Sequence, residues 1–294
     1  MTEPPNSQAT KSGNAMQFYG QFTPPVDQFI FERYFPDLNI KGVFVECGSY
    51  DGLVDSSCKF FEESAGWTGF NIEAVPHIFE RLKDNRPNCI NINAALSNEV
   101  GRAKFRHAVH PTHGSDFGNG SLNHSEVHLK DLAEQNCTFE EFEVETLTWV
   151  EFIRRNNIRA VDLFVLDVEG HELSVIDGMR GSNVLPGVIC IEFGHIDFGD
   201  ITSALGSLGY VYDIHSNANA YFVRSDLLPL FAFRAASKAR PGEDIKSRIA
   251  GEIEDAKNEN RRLEEAKRQS EERYDRLNRR RWTRIGRKLG LIKA

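Results

Sequence analysis

Apolar residues in this chain gather in short runs that stop at an acid or a glycine, with stretches of helical spacing between them. The run Val43-Phe44-Val45-Glu46 is apolar up to an acid, the form of a buried parallel strand ending at the carboxyl edge of a sheet. Gly48 and Gly52 follow, and glycine lets the backbone turn sharply and pass close to a ligand. Residues 54–64 then read as a helix with Val54, Cys58 and Phe61 on one face. The alternation continues with a strand over 69–73 ending at Glu73, a helix over 76–84 and a strand over 89–95. After a gap come a strand at 142–147, a helix at 148–156 and a second strong central strand over 161–170. That strand ends in Asp167 and Glu169, with His171 and Glu172 opening a helix. A strand at 188–193 stops near Glu192, Gly194 and His195. A helix at 199–208 leads to strands at 210–214 and 220–224, close enough to pair antiparallel. Upstream, Pro24 and Pro25 open a helix that buries Phe29, Ile30 and Phe35. The pattern predicts an α/β fold: a mostly parallel, doubly wound sheet with an antiparallel edge hairpin.

Two stretches break the rhythm. Residues 103–108 read as a strand outside the alternation, and 107–141 as a long polar loop with Gly114, Gly118 and Gly120. The loop holds five of the nine histidines: His107, His110, His113, His124 and His128. Solvated loop histidines are the plain reading, with substrate contact and metal binding as the sharper ones. No nearby Asp or Glu completes a known ligand spacing, so no metal site is expected. Beyond Pro241, Ile249, Ile253, Ala256, Asn260, Leu263, Lys267, Ser270, Tyr274 and Leu277 alternate at spacings of 4 and 3, a heptad seam with polar interruptions. The organisation expected is a disordered start (1–16), one α/β domain (17–236), a long helix or coiled coil (243–281) and a basic amphipathic tail (282–294).

Composition narrows this reading. With 294 residues and 40% hydrophobic content, the chain allows one large core plus an appendage. The formal charge is −8, yet the segment 278–294 carries seven basic residues and no acid, which leaves −15 over residues 1–277. An acidic body argues against nucleic acid as the main partner. Trp282, Ile285, Leu289 and Ile292 recur near helical spacing among those basic residues, which suits an anionic membrane surface or an acidic partner protein. The coil offers a route to a homo-oligomer. Five cysteines without a C-x-x-C pair read as reduced thiols. No signal-peptide pattern or apolar window of about 20 residues is present. A cytoplasmic protein, peripheral at the inner face of a membrane, is the expectation.

The chemistry lies at the strand ends. The spacing E-x-G-x-x-x-G over Glu46, Gly48 and Gly52 is neither a P-loop nor the G-x-G-x-x-G of hydride-transfer enzymes. Glu73 follows the glycine turn by about 20 residues, the interval of a ribose-binding carboxylate. Asp167, Glu169, His171 and Glu172 crowd one strand end, where such sheets bind ligands; helix capping by acids accounts for one or two of them.

These residues resemble a known family. The run Phe18-Tyr19-Gly20-Gln21, the block from Val43 to Gly52, Gly66 to Glu73, Arg86-Pro87 with Asn93 to Ser97, and Asp167-Val168-Glu169-Gly170-His171-Glu172 are together similar to the FkbM-type methyltransferases. The resemblance covers about residues 17–225. It implies a class I methyltransferase fold and S-adenosylmethionine as cofactor. It also implies that Glu46, Gly48, Asp51 and Gly52 cradle the methionine part and Glu73 holds the ribose. Asn93 and Ala94 would meet the adenine, Asp167 and Glu169 the sulfonium, and Gln21 would act as a lid. Many members carry proline directly after the strand-two acid, where this chain has Ala74-Val75-Pro76. The implied activity is O-methylation, with a sugar hydroxyl in glycan or secondary-metabolite biosynthesis as the favoured acceptor. The candidate bases for the acceptor proton are His171, Asp167 and His195, with His171 favoured because histidine titrates near neutrality. The alternative is a non-catalytic cofactor-binding scaffold presented by a coiled coil.

Overall fold

The computed structural model describes residues 16–231. The disordered start, the heptad seam and the basic tail expected from the sequence lie outside the described residues. In chain order the elements are α1 (Val26–Tyr34), β1 (Val43–Cys47), α2 (Lys59–Glu63), β2 (Thr68–Glu73), α3 (Pro76–Asn85) and β3 (Ile90–Asn93). Next come β4 (Ala95–Leu96), β5 (Gly101–Val109), β6 (Gly120–Ser121), α4 (Glu126–Glu134), β7 (Thr138–Leu147) and α5 (Trp149–Arg155). The last are β8 (Leu163–Leu166), α6 (Glu172–Asp177), β9 (Val188–Glu192), α7 (Phe198–Ser207), β10 (Tyr210–Ser216) and β11 (Asn219–Arg224).

Seven strands form the main sheet in the order β10-β11-β9-β8-β1-β2-β3. Only β11 runs against its neighbours. It is the return arm of the hairpin with β10, and it slots between β10 and β9. This is the class I methyltransferase type of α/β fold. The central strands β8 and β9 are almost continuously apolar because both faces are covered. On β1, Val45 and Cys47 pack toward α5, α6 and α7, while Phe44 packs toward α1 and α2. The chain leaves β1 toward β2 on one side and returns as β8 on the other, so the strand order switches between β1 and β8. Ligands bind outside the carboxyl ends at such a point.

Two expectations are corrected. The helix expected over 54–64 starts only at Lys59. Asp51 Oδ1 accepts the N–H groups of Leu53 and Val54, both at 2.9 Å, and holds these residues in a turn instead. The polar stretch 107–141 is not a loop. β5 and β7 pair over nine residues each, from Gly101↔Thr146 to Val109↔Thr138, within a second sheet of order β4-β7-β5-β6. α4 is capped by Ser125, whose Oγ accepts the His128 N–H at 3.1 Å. His107, His124 and His128 are buried rather than solvated.

Candidate active site

A cavity of about 530 Å³ opens at the carboxyl ends of β1, β2 and β8. Its floor is the main sheet. Its roof is the end of β5 and the segment from there to α4, which bring His107, His113, Asp116, Phe117 and Asn119 to the lining. Of the sequence-derived candidates, Gln21, Glu46, Gly48, Glu73, Ala94, Asp167, Glu169 and His171 line this cavity. Asp51, Gly52, Asn93 and His195 do not.

At the β1/β2 end each acid has partners. The Glu73 carboxylate accepts the N–H of Tyr50 at 3.0 Å and of Val75 at 2.8 Å. Burial pushes it up to about 7, against those two hydrogen bonds. Asn93 stands behind it, donating Nδ2–H to the carbonyls of Glu73 and Ala74 at 2.8 and 3.1 Å. Asn93 thus shapes the turn after β2. Glu46 is engaged with Ser56 Oγ at 3.1 Å, the Ser57 N–H at 2.7 Å and Arg86 Nη1 at 3.6 Å. Arg86 is fully buried, also pairs with Glu62, and donates to the Gly52 carbonyl at 3.2 Å. Burial raises the Glu46 carboxyl and the Arg86 charge opposes it. Gly52, at φ +75°, is packed against Arg86 and Leu82.

Gly48 lines the cavity and is also constrained from behind. Its φ is +84°, and a Cβ there would lie 1.8 Å from the Asp167 carbonyl oxygen. What presses on Gly48 is therefore the end of β8, and a larger residue would force β1 and β8 apart.

At the β8/β9 end the acids crowd together. Asp167, Glu169 and Glu192 place carboxylate oxygens within 4.8 Å of one another. Asp167 is open to the cavity yet deep in the protein, and that depth raises its proton affinity. Glu169 is raised by burial and then by Asp167 and Glu172, and Glu192 by burial and then by Asp167 and Glu169. Glu169 sits at φ +57° and Gly170 at +105°. Glu172 folds back to accept the N–H of Val168 at 3.1 Å and of Gly170 at 3.0 Å, fixing this turn. None of the acid block therefore caps α6: its N-cap residue is His171, which makes no side-chain cap hydrogen bond, and Glu172 holds the turn before the helix. His171 Nε2 lies 3.0 Å from Ser97 Oγ, and burial pulls the ring down to about 4. His195 sits behind Glu169, its Nε2 3.1 Å from Glu169 Oε2, and stacks on His128 with centroids 4.0 Å apart.

The roof is fastened at one side. Arg81 Nη1 pairs with Asp116 at 2.7 Å, and the Tyr50 hydroxyl donates to the Asp116 carbonyl at 2.8 Å. Tyr50 lies in the block from Val43 to Gly52 without being singled out there, and Asp116, Phe117 and Asn119 fall in a stretch that reads as polar loop, where only the histidines, His107 and His113 among them, carry substrate contact as a sharper reading.

The arrangement suits a ligand with a ribose at one end and positive charge at the other: a buried carboxylate faces the cavity at Glu73, and crowded acids face it at Asp167 and Glu169, whose Oε2 has no hydrogen-bond partner. S-adenosylmethionine is such a ligand, and the protein is a methyltransferase that uses it. The Methyltransferase FkbM domain family matches residues 46–212, more than half of the chain, and the chain belongs to that family. No curated protein sequence matches it. Similar solved structures include the METTL16 MTase domain, at 9% identity over 68% of this chain and 66% of that one, with a TM-score of 0.39. This chain thus spans just under two-thirds of that domain. Another is a TehB-like SAM-dependent methyltransferase from Corynebacterium glutamicum, at 11% identity over 62% and 80%, TM-score 0.33. A third is a precorrin-6y C5,15-methyltransferase from Geobacter metallireducens, at 12% identity over 67% and 85%, TM-score 0.36. No helix among the described residues is long and apolar enough to cross a membrane.

Proposed function

We propose that this methyltransferase methylates a hydroxyl group, with a carbohydrate as the acceptor class. The observation that carries the reading is the position of Asp167. Its carboxylate is open to the cavity floor, under a roof that offers both hydrogen-bonding groups (His107, Asp116, Asn119) and an aromatic face (Phe117). That mixture suits a ring bearing several hydroxyls. The cofactor supplies an electrophilic methyl group on a sulfonium. In this reading Glu73 binds the ribose, Ala94 borders the adenine, and the Gly48 turn and Gln21 border the methionine part. Asp51, Gly52 and Asn93 hold the turns that shape these contacts, and Glu46 fixes the loop at Ser56 and Ser57. Asp167 and Glu169 lie by the sulfonium.

Methyl transfer is a displacement in which the protein chiefly positions donor and acceptor. A hydroxyl acceptor must also lose its proton. His195 does not reach the cavity. His171 does, but its Nε2 is held by Ser97 and burial keeps the ring neutral and weakly basic. In this reading the proton acceptor is Asp167 rather than His171. The basic tail is proposed to bring this acidic body to an anionic surface, on the support of its seven basic residues. Liposomes with anionic lipid should pellet the full chain and not one ending at Asn278.

The test is label transfer. Incubation with S-adenosylmethionine labelled at the methyl group and a panel of nucleotide sugars and glycan extracts should give an alkali-stable labelled ether on a sugar. Label only on amines or thiols would overturn the hydroxyl assignment.

A further inference from the structure

The histidines of α4 and the loop after β9 meet Glu169 in a way that hydrogen bonding does not explain. Glu169 Oε2 lies 3.1 Å from His195 Nε2 and 3.5 Å from His128 Nδ1. Yet this oxygen is buried and has no hydrogen-bond partner. The three atoms are close but not aimed at one another. His128 Nε2 is 3.0 Å from Asn119 Oδ1, which leaves Nδ1 facing inward. There Nδ1 meets further acceptors, the Glu169 carbonyl at 3.3 Å and His124 Nδ1 at 3.2 Å. His124 is turned the same way, its Nε2 lying 3.1 Å from the Arg106 carbonyl, so its Nδ1 also faces inward.

Donor atoms around one divalent ion have this pattern. With bonds of about 2.0–2.2 Å, neighbouring ligand atoms are about 3.0 Å apart at right angles and about 3.4 Å apart at the tetrahedral angle. The distances of 3.1 and 3.5 Å fall at those separations. We infer that His128, Glu169 and His195 form a divalent transition-metal site at the back wall of the cavity, with Asp167 and Glu192 beside it.

The ligand types agree. Imidazole nitrogen favours transition ions over Mg2+, and the neighbouring carboxylates suit Mn2+ and Fe2+. Asn119 fixes the His128 ring through its outer nitrogen, as partners of metal-binding histidines do. The rings of His128 and His195 are stacked at an angle of 12° with centroids 4.0 Å apart, so one ring turns for both nitrogens to converge on the ion. Glu169 lines both the cavity and the cluster, so an ion here would touch the acceptor side of the cavity. Its role toward the acceptor rests on the hydroxyl-transfer reading above. An acceptor oxygen on the ion would lose its proton more readily, and the proton would pass to the adjacent Asp167 carboxylate. The binding itself does not rest on that reading.

The probe is Mn2+ alone, without acceptor, followed by electron paramagnetic resonance of the free ion during titration of the full chain after chelator treatment. Mn2+ also avoids the chain's thiols, which bind softer ions. The wild type should bind one equivalent, and a tenfold excess of Mg2+ should leave most of it bound. Glu169→Gln, which keeps the side-chain shape, and His195→Ala should each weaken binding by about tenfold or more. Thermal unfolding, measured in parallel, shows whether each variant is folded. Less than a tenth of an equivalent bound by wild type, or wild-type affinity in folded variants, would overturn the site. Displacement by Mg2+ mole for mole would overturn the histidine ligation. Loss of metal binding with intact label transfer would remove the role toward the acceptor and leave the hydroxyl reading standing. Bound metal without label transfer to any hydroxyl would do the reverse.

Discussion

The two acid-lined ends of the cavity solve the same electrostatic problem in opposite ways. At the β1/β2 end, Glu46 and Glu73 are buried, but each faces compensation: Arg86 and two serines for one, two backbone N–H groups for the other. At the β8/β9 end, burial is reinforced by neighbouring acids, and Glu169 keeps an oxygen with no partner. Buried charge without a partner is costly, and a fold retains it where a ligand completes it. The first end is thus finished in the protein alone. In the readings proposed above, the second is completed by a cation, whether sulfonium or metal.

Removing an acid should therefore have different effects at the two ends. The largest effect belongs to Asp167→Asn. Turnover should fall by about 10²- to 10⁴-fold, while the midpoint of urea unfolding stays at or above that of wild type. Near-wild-type turnover would return the base role to His171. Next is Arg86→Met, which leaves Glu46 and Glu62 buried without their cation. Stability should drop by about 3–5 kcal/mol, read from urea unfolding. A loss under 1 kcal/mol would mean that the first end does not depend on its compensation.

Glu73→Ala comes third. Cofactor affinity should weaken by about 1.5–3 kcal/mol, measured by calorimetry, and an unchanged affinity would move the ribose contact elsewhere. The smallest effect is one of pH. The folded protein holds the Glu73 proton up to about pH 7, whereas the unfolded chain releases it near 4.5. The folded state binds more protons in that window, so this group's stabilising contribution is full below the window and lost as pH rises through it. Glu73→Gln should flatten the decline by on the order of 1–3 kcal/mol between these limits. An identical slope in wild type and variant would show that Glu73 is not a perturbed group.

The strand-end acids were legible because a buried parallel strand announces itself by an apolar run, and an acid at its end breaks that run. Val43 to Glu46 and Leu163 to Asp167 both show this. The helix over 54–64 was misread because an apolar period cannot reveal the Asp51 side chain capturing the backbone N–H groups of Leu53 and Val54. The second sheet was hidden because the first half of β7, Thr138-Phe139-Glu140-Glu141-Phe142-Glu143, is acidic and half exposed. Its pairing with β5 is a tertiary fact. The histidine–carboxylate cluster was out of reach for a similar reason. His128 and Glu169 stand 41 residues apart, and only the turn held by Glu172 brings the carboxylate to the rings.

The fastening of the roof bears on traffic through the enzyme. Arg81 and Asp116 join α3 to the roof by an ion pair with both partners well exposed to water, at 38% and 58%. Such a pair is screened by dissolved salt, whereas the buried contacts of the floor are not. Entry and exit of acceptor can then be loosened by the medium without disturbing the end that is finished in the protein alone. The roof thus carries a fastening that responds to ionic strength, beside the hydrogen bonds of Tyr50, His77 and His107 to backbone carbonyls, which do not.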